Sequence, residues 1–491
     1  MIASFALAIL QPLGVSLLLL GLWGPGPHPF RSHLLLKVCL AAGLALGLSS
    51  CTYFLWLLIG GPSRMGLLIV ELATFAVAMG LLWRAYTTRG LVADAAPPSR
   101  PDLPAGWMLP TLWICACVAL ATAVTRFAFL SLATPHGEVD ALTIWNLRAR
   151  FLARGDEQWL DSFTGLLATH VPDYPLLLPA SIARWWTYLG DDPTFVPALV
   201  AMLFTFATIG LASSALGLLR SPSQGLLAGI VLLGTPFLIR HGASQYADVP
   251  LSFFFLATLA AFSLHERAAG HQDGLLALAG MTAGFAAWTK NEGLLFVLVV
   301  VVARLLVVVP VSGWKSYGSE MRAFAKGLLP VLLIVLFFKT HIAPGVSLIF
   351  AEQGTATTLE RLTDFSRYIE TAQAFLKKAA RFGHPGFIVL LGYLLLVGRN
   401  AGATGRPGIR HAAATWGLML AGYFMIFIIT PHGLRYQIDT SLDRLWIQLW
   451  PSAVFTFFLF VKTPEEAMAP GSLSSGEREQ PLHEAQRGDC Q

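Results

Sequence analysis

The chain has 491 residues, of which 55% are hydrophobic and only 12% charged, where soluble domains carry about 25% charged residues. With a mean hydropathy of +0.64, 32 Phe and 14 Trp, its apolar surface is too large to hide from water inside a soluble fold, so a bilayer is its solvent. The net charge of +5 suits anionic headgroups or a phosphorylated ligand and is too small and scattered for a nucleic-acid binder.

An all-α, polytopic transmembrane protein of about 11–13 spans is therefore expected. At roughly 17–25 apolar residues per span, thirteen stretches qualify: 2–23, 34–58, 65–83, 107–132, 194–219, 224–239, 248–264, 274–289, 293–311, 327–343, 384–398, 412–430 and 447–461. The first lacks a basic leader before it and an Ala-x-Ala site after it, and reads as a retained helix. Residues 1–93 then form a three-helix segment, 94–106 a Pro-rich linker, 107–462 the main transmembrane body, and 463–491 a polar, disordered cytoplasmic tail. Cys39, Cys51, Cys115 and Cys117 lie in apolar stretches and Cys490 in the tail, so no disulfide framework or CxxC metal spacing is present. Arg126, Arg304 and Lys339 lie near span ends and are expected to snorkel to headgroups.

Two long loops, 133–193 and 344–383, carry surface helices. In the first, Leu142, Ile144, Trp145, Leu147, Phe151 and Leu152 share an arc opposite Thr143, Asn146 and Arg150. The stretch 174–189, with Pro175, Pro179 and Arg184, fits a re-entrant or interfacial piece better than a span. In the second loop, Leu359, Leu362, Phe365, Ile369, Ala372, Leu376 and Ala379 recur at steps of three and four, opposite Glu360, Arg361, Asp364, Arg367, Lys377 and Lys378. Lysines and arginines of the short loops concentrate on the side holding 312–326 and the tail, which puts that side in the cytoplasm and both long loops outside.

Chemistry-bearing residues cluster at predicted span ends. His136-Gly-Glu138-Val-Asp140 follows the fourth span, and carboxylates so close to low dielectric can take a proton from a hydroxyl near neutral pH, or hold a divalent cation. Read alone, Asp140 serves equally well as the N-cap of the helix that starts at Ala141. Lys290 and Glu292 stand between two apolar runs, where charge is paired or functional. Either Lys290 pairs with Glu292 or Asp248 to tie helices together, or it meets a phosphate. Arg435 and Arg444 flank the last outer loop beside His432, where an arginine can grip phosphate or anchor a helix end. Tyr246, Trp159, Trp185 and Trp186 could stack on a sugar or belong to an interfacial belt.

The opening Glu138-x-Asp140, the helix after it and the Pro-rich His170-Val-Pro-Asp-Tyr-Pro-Leu-Leu-Leu-Pro179 resemble the first external loop of the GT-C superfamily of membrane glycosyltransferases. Gln245-Tyr-Ala-Asp248-Val-Pro-Leu, Thr289-Lys-Asn-Glu-Gly293 and Thr440-Ser-Leu-Asp-Arg444 extend the resemblance, to bacterial mannosyltransferase-like and lipopolysaccharide-sugar-transferase-like members, over roughly residues 107–462. The first three spans and the linker depart from the usual arrangement, in which the acidic loop follows the first helix.

The resemblance implies an enzyme of the plasma (inner) membrane whose site faces the periplasm or exterior. It would transfer a sugar from a polyprenyl-phosphate donor, with inversion, to a lipid, polysaccharide or protein acceptor. Asp140 and Glu138 would be catalytic; Asp248, Lys290, Glu292, Arg444, His170 and Tyr246 would contact substrate. The superfamily has metal-dependent and metal-independent members, so a divalent ion on Glu138 and Asp140 stays open. A secondary transporter and a non-catalytic membrane scaffold are the rival readings; transporters tend to carry internal repeats and helices broken at midplane, and no repeat is evident here.

Overall fold

The computed structural model describes residues 2–23, 34–61, 63–89, 106–164, 166–167, 171–267, 273–343, 355–382, 384–400, 402 and 406–468. Within them the chain is mostly helical, with no strand beyond an isolated bridge between Arg399 and Val461. The N-terminal segment supplies α1 (Ile2–Trp23), α2 (Leu34–Gly60) and α3 (Arg64–Arg89), and α4 (Met108–Ala133) follows. The first long loop holds a wide π-helical turn, Ala141–Trp145, then α5 (Asn146–Arg154) and α6 (Leu177–Leu189). Then come α7 (Phe195–Leu219), α8 (Pro222–Leu233), α9 (Pro236–Ala243), α10 (Asp248–Arg267), α11 (Asp273–Thr289) and α12 (Asn291–Phe337). The second long loop holds α13 (Thr355–Thr363) and α14 (Phe365–Phe382); α15 (His384–Val397), α16 (Pro407–Ile429), α17 (Leu434–Phe460) and α18 (Pro464–Met468) complete the fold. Helix runs over every one of the thirteen apolar stretches, α8 and α9 sharing one of them.

Among the described residues seven helices are long and apolar enough to cross a membrane, or eight if α8 and α9, bent by 64° at their junction, make one broken span. This count falls below 11–13 in part because it takes Asn291–Ile342 as one piece. Yet the stretches 293–311 and 327–343 are two helices: Arg304 meets Glu320 at 2.7 Å and Tyr317 donates to the Val301 carbonyl at 3.3 Å, so they fold back on each other at Gly313 (φ 77, ψ 173). That conformation is open to glycine and strained for other residues. Furthermore, α11 and α15 are only 17 and 14 residues long, and α17 carries Arg435, Asp439, Asp443 and Arg444 in its first half.

The core lies where α2, α7, α10, α11 and α17 meet, and α10 from Asp248 to Leu264 is buried along its whole length. The first three helices pack onto this body. Arg184 of α6 grips Glu71 of α3 through two bonds of 2.5 and 2.8 Å, Tyr188 donates to the same carboxylate at 2.7 Å, and Trp288 of α11 donates to Ser50 of α2 at 3.1 Å. Buried ionic groups need such complete pairing. Residues 94–105 of the linker lie outside the described residues. The tail opens with a capped turn: Thr463 accepts from the Glu466 amide at 3.1 Å and donates its own amide to the Glu466 carboxylate at 2.8 Å. Residues 469–491, where the tail is expected to be disordered, lie outside the described residues.

Three expectations are corrected. The π-helical turn shifts the phase of the first surface helix, so Asn146 is buried and Leu142 exposed, the reverse of the simple wheel. Arg304 does not snorkel; it is buried between Glu266 (2.5 Å) and Glu320 (2.7 Å). Lys339 does not snorkel either, and binds Asp173 and Asn291.

The described parts of both long loops meet the first half of α17, Asp140 through Arg444 and Lys378 through Asp443, and so share one end of the bundle. There α14 rests on α16 and α17 through the Phe375 ring, 5.6 and 5.5 Å from Phe424 and Phe427, and through Lys378 to Asp443 at 2.8 Å. Leu359, Phe365, Ile369 and Leu376 of this loop are left exposed as an apolar ridge, which suits a helix at a bilayer interface.

Candidate functional site

At that same end, five charged side chains from four segments form one line of alternating sign. Asp140, before the π-helical turn, meets Arg444 of α17 at 2.6 Å, and Arg444 reaches Asp248 at the start of α10 at 3.2 Å. Asp248 meets Lys290 at 2.9 Å, and Lys290 meets Glu292 at 2.9 Å. Side-chain exposure falls from the rim inward, 20% for Asp140 and 19% for Arg444 against 2% for Lys290 and 0% for Asp248, with Glu292 at 15%. The line thus runs from an accessible carboxylate into a buried one.

Local structure explains each placement. Lys290 is the single extended residue (φ −151, ψ 163) between α11 and α12, so its side chain is delivered where two helices turn back. Asp248 and Glu292 lie in the first turns of α10 and α12, where the helix dipole favours negative charge. Arg444 and Gln448 are one turn apart on the same face of α17. Gln448 donates to Asp248 at 2.6 Å and to Glu292 at 3.3 Å, and its carbonyl accepts the Tyr423 hydroxyl.

A second set of bonds holds the acidic loop against α10. Asn146 donates to Gln245 Oε1 at 2.9 Å and to the His136 carbonyl at 3.2 Å, Gln245 donates to the Pro135 carbonyl at 3.1 Å, and the Glu138 amide donates to the Ser244 carbonyl at 3.2 Å. Gly137 (φ 76) lies so close that a Cβ there would stand 2.8 Å from the Ser244 carbonyl oxygen, so the motif needs its glycine.

Asp140 precedes the helical turn but makes no capping bond. Its carboxylate is spent on Arg444, which removes the helix-cap reading. Lys290 is ion-paired with both Asp248 and Glu292, so the tie between helices is present whatever else Lys290 does. Tyr246 accepts the Asp140 amide at 3.5 Å, and its ring lies 5.2 Å from the Arg444 guanidinium. Tyr174 lies under Lys290 at 5.5 Å and stacks on Trp145 at 5.4 Å. Burial pushes the Tyr174 phenol up to about 12, and burial with the Asp140 charge raises Tyr246, so both remain donors at neutral pH.

Glu138 turns away from this line to Arg240 at 3.4 Å. Glu138 and Asp140 thus do not fit a shared divalent ion: each faces its own guanidinium, and among the described residues no third such side chain joins them. Among the described residues no group of three or more His, Cys, Asp or Glu side chains could hold a metal. His170 lies outside the described residues. Trp159, Trp185 and Trp186 are buried in the core, 5%, 3% and 2% exposed, and line no site. Arg435 pairs with Glu370 at 3.0 Å, on an exposed flank.

Sequence reasoning gave no role to Gln448, Tyr423, Tyr174, Asp173 or Asn291. Gln448 had one usable signal, its position four residues beyond Arg444 on a helix. No protein-family profile, curated protein or solved structure matches this chain.

Proposed function

We propose that the chain is a membrane glycosyltransferase of the GT-C type, moving a sugar from a polyprenyl-phosphate donor to an acceptor hydroxyl at the external face of the plasma membrane, with inversion. The observation that carries this reading is the Arg444 guanidinium at the rim, bridging an accessible carboxylate, Asp140, and a buried one, Asp248.

A lipid phosphate is a better bidentate partner for that guanidinium than a single carboxylate oxygen. Taking Arg444 from Asp140 frees the Asp140 carboxylate, which then accepts the proton of the acceptor hydroxyl. The hydroxyl oxygen forms a bond to the anomeric carbon as the bond from that carbon to the phosphate oxygen breaks. The electron pair leaves on the phosphate, whose charge Arg444 and, behind it, Lys290 stabilise. Asp248 and Gln448 keep the two cations in place when the donor departs. The test is release of sugar from a defined polyprenyl-phosphate sugar by the purified protein, with product found on an added acceptor alcohol.

The bent pair α8–α9 and the one-residue break between α11 and α12 favour a second reading, a transporter, since interrupted helices bind substrates in that class. Uptake of a solute into proteoliposomes without any sugar release from the lipid would select it.

A further inference from the structure

Beside the line of charges lies a second polar cluster that the transfer chemistry does not use. Asp173 Oδ2 receives the Asn291 amide at 2.8 Å and the Lys339 ammonium at 3.3 Å, and Lys339 also donates to Asn291 Oδ1 at 2.6 Å. Asn291 is the residue before Glu292, so the cluster abuts the inner end of the site. The other Asp173 oxygen, Oδ1, is buried and accepts nothing. Glu292 repeats the pattern: Oε1 receives Lys290 at 2.9 Å and Gln448 at 3.3 Å, while Oε2 is buried and accepts nothing. Asp173 as a whole is 9% exposed. Buried acceptors without a donor are rare in folded proteins, and each needs a reason.

The turn that presents Asp173 is held with unusual care. Val171, a β-branched residue, sits at φ 50, a conformation that persists only where the surroundings over-determine it and that collects at functional sites. The buried Arg148 guanidinium supplies the constraint, donating to the carbonyls of Val171 at 2.5 Å and Tyr174 at 3.2 Å.

The chemistry of the two oxygens selects the ligand. An ammonium already lies on each carboxylate, Lys339 on Asp173 and Lys290 on Glu292, so a metal ion would face two resident cations. A further anion would face the carboxylates. What Asp173 Oδ1 and Glu292 Oε2 each lack is a neutral hydrogen-bond donor, and acceptors of that kind suit a molecule with several hydroxyls.

We propose that Asp173 is a specificity-determining residue whose Oδ1 accepts a hydroxyl of the transferred sugar, with Glu292 Oε2 taking a second; this rests on the glycosyl-transfer reading. The full chain in lipid nanodiscs is titrated with decaprenyl phosphate and with the same lipid carrying mannose, glucose or arabinose. One sugar-bearing lipid is expected to bind about tenfold or more tightly than the bare phosphate, the worth of one hydrogen bond to a charged group. In Asp173→Asn that ratio falls to about one. Should the variant not fold, the wild-type protein decides with monodeoxy sugars: deleting one particular hydroxyl must abolish the gain. Binding of bare decaprenyl phosphate with no gain from any sugar, a gain unchanged in folded Asp173→Asn, or a gain indifferent to every single hydroxyl overturns the role of Asp173 and spares the phosphate reading. Failure of every lipid to bind overturns both.

Discussion

Arg444 joins Asp140 at 2.6 Å to Asp248 at 3.2 Å, and so couples a carboxylate that is 20% exposed to one that is wholly buried. The planar guanidinium does this with two different nitrogens held in one fixed geometry, Nε on Asp248 and a terminal nitrogen on Asp140, whereas a lysine at this position carries all its donors on one atom. Arg444→Lys keeps the charge and loses the bridge. Use of a polyprenyl-phosphate donor should weaken by about 10- to 100-fold, the range of one or two charge-assisted bonds, measured as the concentration giving half-maximal turnover. Wild-type donor use by the lysine variant would reduce Arg444 to a generic positive charge.

Asp248 is the structural centre of the line, accepting from Lys290, Arg444 and Gln448 with no exposure to solvent. Removing one partner of a buried ion pair costs about 3–5 kcal/mol because the other charge stays buried and unpaired. Asp248→Leu should therefore lower the unfolding midpoint in detergent sharply. Adding Lys290→Met should recover part of the loss, since the stranded ammonium is then gone. If the double variant unfolds at the same midpoint as Asp248→Leu, the pairing of Lys290 with Asp248 contributes nothing to stability.

Much of this site was legible in the sequence because charge between apolar runs has few uses. Asp140, Asp248, Lys290, Glu292 and Arg444 each stood out at a predicted span end, and the fold brings all five together. Gln448 and Tyr423 did not stand out, since a neutral polar residue inside an apolar helix gives no such signal until its neighbours are known. The Asp173–Lys339 contact spans 166 residues of sequence, a pairing that no local pattern encodes. The segment 312–326 was legible in part: the chain does turn back there, at Gly313, but Lys315, Glu320, Arg322 and Lys326 lie on the helix that follows, where Glu320 meets Arg304 of the preceding helix at 2.7 Å.

The placement of both long loops at one end of the bundle makes the orientation testable with two positions. Gln158, before α6, and Gln373, on α14, are both exposed. Single cysteines at either position, in a chain whose exposed Cys115 and Cys117 and tail Cys490 are replaced by serine, should react with a membrane-impermeant thiol reagent in intact spheroplasts. Labelling of one but not the other would contradict the shared end. Labelling of both only after the membrane is opened would invert the orientation and put the site in the cytoplasm.

The sharpest distinction concerns Asp140. A residue that begins a helix usually contributes through its side-chain oxygen to a free backbone N–H, but Asp140 makes no such bond and instead holds Arg444. Asp140→Asn preserves shape and could still accept a bond from the guanidinium. It cannot take up the proton of an attacking hydroxyl. Arg444 also keeps Asp248 as its partner, so the substitution should move the unfolding midpoint little. Turnover with a lipid-phosphate donor should fall by about 10²- to 10⁴-fold, the contribution of general base catalysis, while donor affinity stays equal or rises because Arg444 is freed for the phosphate. Glu138→Gln, which disturbs only the contact with Arg240, should retain most activity. Near-wild-type turnover of Asp140→Asn, or a collapse of donor binding in place of turnover, would remove Asp140 from the proton transfer and leave it a positioning partner of Arg444.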